Sequence, residues 1–134
     1  MEKKTKIVHL DDHRLYLDGV RKSVHPKFPD IKFIRFENTD EAFYYVTNCI
    51  LKNQKIDLLI TDFNHPGLNG YEFAKAVRSI ERSHGKGQMP ILLLTMAPKE
   101  TPIISKALED GIFNDYLDKE ADGDTIAKHI LKLL

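Results

Sequence analysis

The chain lacks tryptophan, has one cysteine, and contains no apolar run of membrane-spanning length. With Cys49 alone there is no disulfide framework, so the fold must rest on a hydrophobic core, and the cytoplasm is the expected compartment. A bilayer crossing needs about 20 mostly apolar residues. The start, Met1-Glu2-Lys3-Lys4-Thr5-Lys6, is charged and is not followed by an apolar stretch of signal length. No membrane partner is expected. An excess of one charge is also missing. Lys and Arg number 20, as do Asp and Glu, and the basic residues are scattered, which removes the basis for a nucleic-acid surface. There are no repeats, low-complexity segments or internal linkers. What remains is 134 residues, 42% hydrophobic and 30% charged, a composition expected of one globular domain over 1–134.

Periodicity gives a regular alternation. Ile7-Val8-His9-Leu10 is a short apolar run ending at Asp11-Asp12, the first strand. Residues 13–25 carry Leu15, Val20 and Val24 near helical spacing. Residues 31–36 form a second strand, nearer an edge. Asn38 with Glu41 resembles a capping box, and Ala42, Phe43, Val46, Cys49 and Ile50 make the stripe of the second helix. Residues 56–61 are apolar throughout and stop at Asp62, ahead of Asn64, Pro66, Gly67, Asn69 and Gly70, which are turn residues. Such a run reads as a strand buried on both faces. Tyr71, Ala74, Val77 and Ile80 mark the third helix. A fourth strand spans 90–95. Thr101-Pro102 opens the fourth helix, on Ile103, Ile104, Ala107 and Leu108, and Gly111 ends it. A fifth strand over 114–118 precedes Lys119. Asp122 then caps a helix faced by Ile126, Ile130, Leu133 and Leu134. Five strand–helix units imply an α/β fold, a doubly wound parallel sheet with helices on both faces.

The polar residues at the strand ends carry the chemistry. Asp11 and Asp12, Asp62, Thr95 and Lys119 each follow or end a strand, and in such a sheet those ends share one rim. Three crowded carboxylates repel and need a cation to stay ionised. Oxygen ligands with no cysteine favour Mg²⁺, with Mn²⁺ as a substitute. A hydroxyl and an ammonium beside them suit a phosphoryl group, and a carboxylate nucleophile would give an acyl phosphate. Each residue also has a plainer reading. Asp11-Asp12 would serve to cap a helix, Lys119 would be a solvated lysine, Thr95 a β-branched strand residue, Tyr116 a half-buried aromatic, His65 a loop residue, and Cys49 a small core residue.

Taken together, Asp11-Asp12, Asp62, Thr95 and Lys119, with the loop Asp62-Phe-Asn-His-Pro-Gly-Leu-Asn-Gly70, resemble the receiver domains of two-component response regulators over essentially the whole chain. The resemblance implies the flavodoxin-like (βα)5 fold, strand order 2-1-3-4-5. It implies Asp62 as phosphoacceptor, Asp12 as direct Mg²⁺ ligand, Asp11 as ligand through water, and Asn64 as ligand through its backbone carbonyl. Thr95 and Lys119 would bind the phosphoryl group. Tyr116 matches the aromatic that reorients on switching, with Thr95 as its trigger. The expected partners are a sensor histidine kinase or phosphotransfer protein, and a second receiver as homodimer. Asp11-Asp12-His13 and Lys119-Glu120-Ala121 are similar to the NarL type, whose receivers usually precede a DNA-binding domain. His65 and Met96 depart from the family's usual residues.

Two other function classes stand beside this. A metal-dependent phosphoesterase would use His9, Asp11, Asp12, His13 and Asp62. It lacks a second acidic pair, and alternation along a strand is expected to keep His9, Asp11, Asp12 and His13 from converging. A flavin-binding domain would want a hydroxyl-rich loop after the first strand, where Asp11-Asp12-His13-Arg14 has the wrong charge.

Overall fold

Leu58, Leu59, Ile60 and Thr61 form the central strand, and all four are buried. Leu58 and Ile60 pack with Ile7, Val20, Val24, Ile126 and Ile130, whereas Leu59 packs with Val46, Phe73, Val77 and Ile104. Two cores, one on each face of the sheet, therefore explain a strand with no polar alternation. Ile91–Thr95 repeats the arrangement, with Ile91 and Leu93 on one side and Leu92 and Leu94 on the other. Removing one such side chain, as in Leu93→Ala, typically costs about 2–5 kcal/mol.

The computed structural model describes residues 4–134, so Met1–Lys3 of the charged start lie outside the described residues. The elements run β1 (Lys6–Leu10), α1 (Arg14–Val24), β2 (Lys32–Phe36), α2 (Thr39–Leu51), β3 (Leu58–Thr61), α3 (Gly70–Ser83), β4 (Ile91–Thr95), α4 (Pro102–Glu109), β5 (Asp115–Asp118) and α5 (Gly123–Leu133). All four strand pairings are parallel, in the order β2-β1-β3-β4-β5. This is the expected flavodoxin-like arrangement, with β2 on the edge. α1 and α5 pack together on one face, and α2, α3 and α4 cover the other. The order reverses between β1 and β3, which opens a crevice at their carboxyl ends. No helix among the described residues is long and apolar enough to cross a membrane.

Several helix faces differ from the stripes read in the sequence. Leu15 is 86% exposed, and Leu17 takes its place beside Val20 and Val24. The helix begins at Arg14, and Leu17, Val20 and Val24 fit its i, i+3, i+7 face. Leu134 and Ile103 are also exposed, and Ala127 joins Ile126 and Ile130 inside. At α2 Asn38 accepts the Glu41 N–H without the reciprocal bond, whereas the full capping box lies at α3, between Asn69 and Glu72. Asp122 caps α5 through the Thr125 N–H, and Gly111 follows α4 at φ 76°, as its C′ role requires.

Candidate functional site

Register places the rim. Leu10 stands opposite Thr61, so the next residues, Asp11 and Asp62, lie side by side, joined through the Asp62 N–H to the Leu10 carbonyl. Thr95 stands opposite Asp118, and the Lys119 N–H donates to the Thr95 carbonyl. Lys119 Nζ then reaches 2.6 Å from Asp11 Oδ2 and donates to Asp62 Oδ2 at 2.8 Å, with only 8% of its side chain exposed. The Phe63 N–H donates to Asp62 Oδ1 at 2.6 Å. The loop after Asp62 is held close. Gly70 N–H donates to the Phe63 carbonyl at 2.8 Å, and a β-carbon at Gly70 would overlap the Asp62 carbonyl. Only glycine lets α3 start so near the acceptor strand.

The charges are coupled. Burial works against ionisation of Asp62, but the Lys119 ammonium, with the Thr95 hydroxyl and the Phe63 N–H, holds its carboxyl below the usual range. Burial likewise works against charge on Lys119, and the Asp11 and Asp62 carboxylates outweigh it, raising its pKa. The Lys119 ammonium sits 4.6 Å from the Tyr16 ring centroid. Tyr16, whose hydroxyl is buried without a hydrogen-bond partner among the described residues, has its phenol pushed up by burial and then by Asp11 and Asp62.

Four side chains offer donor atoms within 4.8 Å of one another: Asp11, Asp12, His13 and Asp62. Asp12 Oδ1 is buried without a hydrogen bond among the described residues. Asp11 Oδ2 is paired instead with the Lys119 ammonium, at 2.6 Å. A carboxylate oxygen left over as Asp12 Oδ1 is, within such a cluster, fits a divalent cation. His13 joins the cluster because β1 ends at Leu10, so residues 11–13 turn rather than alternate. This corrects the expectation that His13 is kept away. His9 stays outside. It is fully buried in β1, 6.5 Å from Tyr16 between ring centroids, with both ring nitrogens unpartnered among the described residues. The ligand set of a phosphoesterase built on His9 is therefore not assembled.

Asn64 is exposed in the loop two residues past Asp62. Thr95 is fully buried, and its Oγ1 accepts the Ala97 N–H at 3.2 Å. Tyr116 donates its hydroxyl to the Ala97 carbonyl at 2.6 Å. His65 is tied to Thr39 Oγ1 at 2.9 Å and stays out of the donor cluster.

The family model of the response regulator receiver domain matches residues 7–131. The chain belongs to the response regulator receiver domains. As a receiver it is a signalling module of two-component systems rather than a conventional enzyme. It is 32% identical over 104 residues to the chemotaxis protein CheY of Pseudomonas aeruginosa, covering 77% of this chain and 80% of CheY. It is 32% identical over 113 residues to the cyclic di-GMP phosphodiesterase response regulator RpfG of Xanthomonas campestris pv. campestris, covering 84% of this chain and 27% of RpfG. The signal receiver domain of NarL from Mycobacterium tuberculosis shares the fold with a TM-score of 0.77 at 24% identity, over 98% of this receiver and 96% of that chain.

Tyr16 and Gly70 carry roles that motif reading passes over. Tyr16 stands in the first turn of α1, just after the Asp11-Asp12 pair, and that position brings its ring to the Lys119 ammonium. Gly70 looks like another turn residue, and only the packing of α3 on Asp62 shows why it must be glycine.

Proposed function

We propose that this receiver accepts a phosphoryl group on Asp62 from a sensor histidine kinase or phosphotransfer protein, and then changes the surface of α4, β5 and α5. A carboxylate oxygen of Asp62 attacks phosphorus, the bond from phosphorus to the donor's imidazole nitrogen breaks, and that nitrogen leaves as the imidazole. Lys119 meets one oxygen of the moving group and the Thr95 hydroxyl another, so transfer depends on positioning and charge rather than on a base. Asp11, Asp12 and Asp62, with the Asn64 backbone carbonyl, would hold Mg²⁺ or Mn²⁺, and the gathering of the three carboxylates with an unbonded Asp12 Oδ1 supports this. A cation held there would neutralise the phosphoryl oxygens.

Switching follows from the hydrogen bonds at Ala97. Drawing the Thr95 hydroxyl inward to a phosphoryl oxygen pulls on the bond it accepts from the Ala97 N–H, and the Ala97 carbonyl is where Tyr116 is anchored. Tyr116 is then free to reorient as a population shift. A partner protein or a second receiver would read the altered face.

The carrying observation is the Lys119 ammonium bridging Asp11 and Asp62 at the strand ends. The test is incubation with a small phosphodonor and Mg²⁺, followed by mapping of the acyl phosphate by reductive trapping and mass spectrometry. Label is expected on Asp62 alone and absent from Asp62→Asn. Full labelling of Asp62→Asn overturns the assignment.

A further inference from the structure

The basic residues are scattered along the sequence, but five of them gather in space. Lys4 from the chain start, Arg21 and His25 at the end of α1, and Lys32 and Arg35 of β2 line one cavity of about 310 Å³ beside the edge strand. Asp30 is the one carboxylate residue in its wall. Arg35 is paired with Asp18, whereas Lys4, Arg21, His25 and Lys32 have no ion pair among the described residues. Arg21 Nε is buried and has no hydrogen-bond partner among the described residues. A buried guanidinium N–H left unbonded is costly. The dipole of α1 favours Arg21 and Lys22 in its last turn, and a lysine such as Lys32 blunts an exposed sheet edge. Neither role calls for a buried, unbonded Nε, nor for four unpaired basic side chains around one opening.

We infer that this cavity is an anion site for a small organic phosphate of mononucleotide size. Basic groups that reach one space from the chain start, a helix and a strand suit a tetrahedral dianion, which offers oxygens on several sides. A carboxylate offers only two, in one plane. A phosphate oxygen would supply the acceptor that Arg21 Nε lacks. The cavity lies at the lower end of the range for ligand pockets, roughly 300–1,000 Å³, and is larger than a bare phosphate fills. Phe33 and Ile31 in its wall offer an apolar surface to the organic part. None of Asp11, Asp12, Asp62, Thr95 and Lys119 lines the cavity, so the site is separate from the phosphoacceptor rim and does not depend on its chemistry.

The test is a titration of the whole chain followed by ¹H–¹⁵N amide spectra, in metal-free chloride buffer at constant ionic strength. The probes are adenosine monophosphate, inorganic phosphate, adenosine and succinate. Adenosine monophosphate is expected to move the amides of Arg21, His25, Phe33 and Arg35 saturably, and to leave those of Asp62, Thr95 and Lys119 in place. Inorganic phosphate should act on the same amides several-fold more weakly, and adenosine and succinate on none of them. Arg21→Gln should weaken adenosine monophosphate by about tenfold or more, the scale of one hydrogen bond to a charged group. Lys32 is exposed, so Lys32→Gln leaves the core untouched, and it should weaken the same ligand several-fold. Circular dichroism checks the fold of both variants, and Lys32→Gln decides the matter if Arg21→Gln does not fold. No saturable response to adenosine monophosphate, shifts that fall on the rim instead, an equal response to succinate, or unchanged affinity in the folded variants overturns the site. Equal affinity for inorganic phosphate and adenosine monophosphate overturns the assignment to an organic phosphate.

Discussion

Met96 follows Thr95 directly, and 58% of its surface is exposed. It lines an open cleft of about 500 Å³ with His13, Leu15, Tyr16 and Lys119, so its thioether stands on the rim beside the ammonium that binds Asp62. A small phosphodonor arriving at Asp62, or a water removing the phosphoryl group, must approach in line with the bond being made or broken. A long flexible side chain at that mouth hinders both. Met96→Ala is expected to speed labelling by a small donor and to shorten the lifetime of the phosphorylated form, each several-fold. Labelling and decay followed by mass spectrometry check this, and two unchanged rates would show that Met96 leaves the path clear. The departure was visible in the sequence as a long residue next to the threonine. Which way the thioether leans was not, because side-chain direction at a strand end depends on the loop that follows.

At the scale of elements, the β3–α3 loop decides how the acceptor is presented. Gly70 lets α3 begin against the Asp62 backbone, and the Asn69–Glu72 capping box fixes that start. Gly70→Ala forces either α3 or the Asp62 carbonyl to move. Overpacking of this kind costs about 1–3 kcal/mol, and urea unfolding should show that loss together with weaker labelling of Asp62. Gly87→Ala has open space around it and should change neither. All ten elements were legible, since apolar runs ending at Asp or Thr alternate with helical stripes. The rim was legible for the same reason, because its residues sit at strand ends. Faces holding charge were not. Arg78 and Glu81 are buried in α3, where Arg78 donates to Glu81, the Met89 carbonyl and Asn114, and Glu81 accepts the Met89 N–H. Hydrophobic periodicity assigns such positions to solvent. Their burial depends on partners in the segments just before β4 and β5, Met89 and Asn114, that no local pattern names. The convergence of His13 was hidden for a related reason, since the turn after Leu10 is set by the Asp11–His13 bond rather than by strand alternation.

For the whole molecule, the cost of building this site is expected to appear as acid sensitivity centred on His9. His9 lies in β1 between Arg35 of β2 and Ile60 of β3, and beneath Tyr16 of α1. Burial pushes its imidazole down from 6.5 to about 4; Asp11 and Asp62 pull the other way, and Lys119 and Arg35 add to the lowering. The folded pKa is below the unfolded one, so between those values the unfolded chain binds more protons. Stability therefore rises with pH through that window, is fully present above about pH 6.5, and is lost as pH falls towards 4. A shift of this size is worth roughly 3 kcal/mol over the window, of which about 2 kcal/mol falls between pH 7 and pH 5. The lowered carboxyl of Asp62 acts only below its ordinary value of 3.8, so it does not intrude in that interval. Urea unfolding at pH 7 and pH 5, in EDTA to remove any bound cation, gives the change for the wild type and for His9→Asn. The absolute stabilities will differ because the replacement repacks a buried site. The diagnostic quantity is the difference between the two pH values, which should be about 2 kcal/mol larger in the wild type. Equal differences would show that His9 titrates alike in the folded and unfolded chains, and that the charges of the rim compensate its burial.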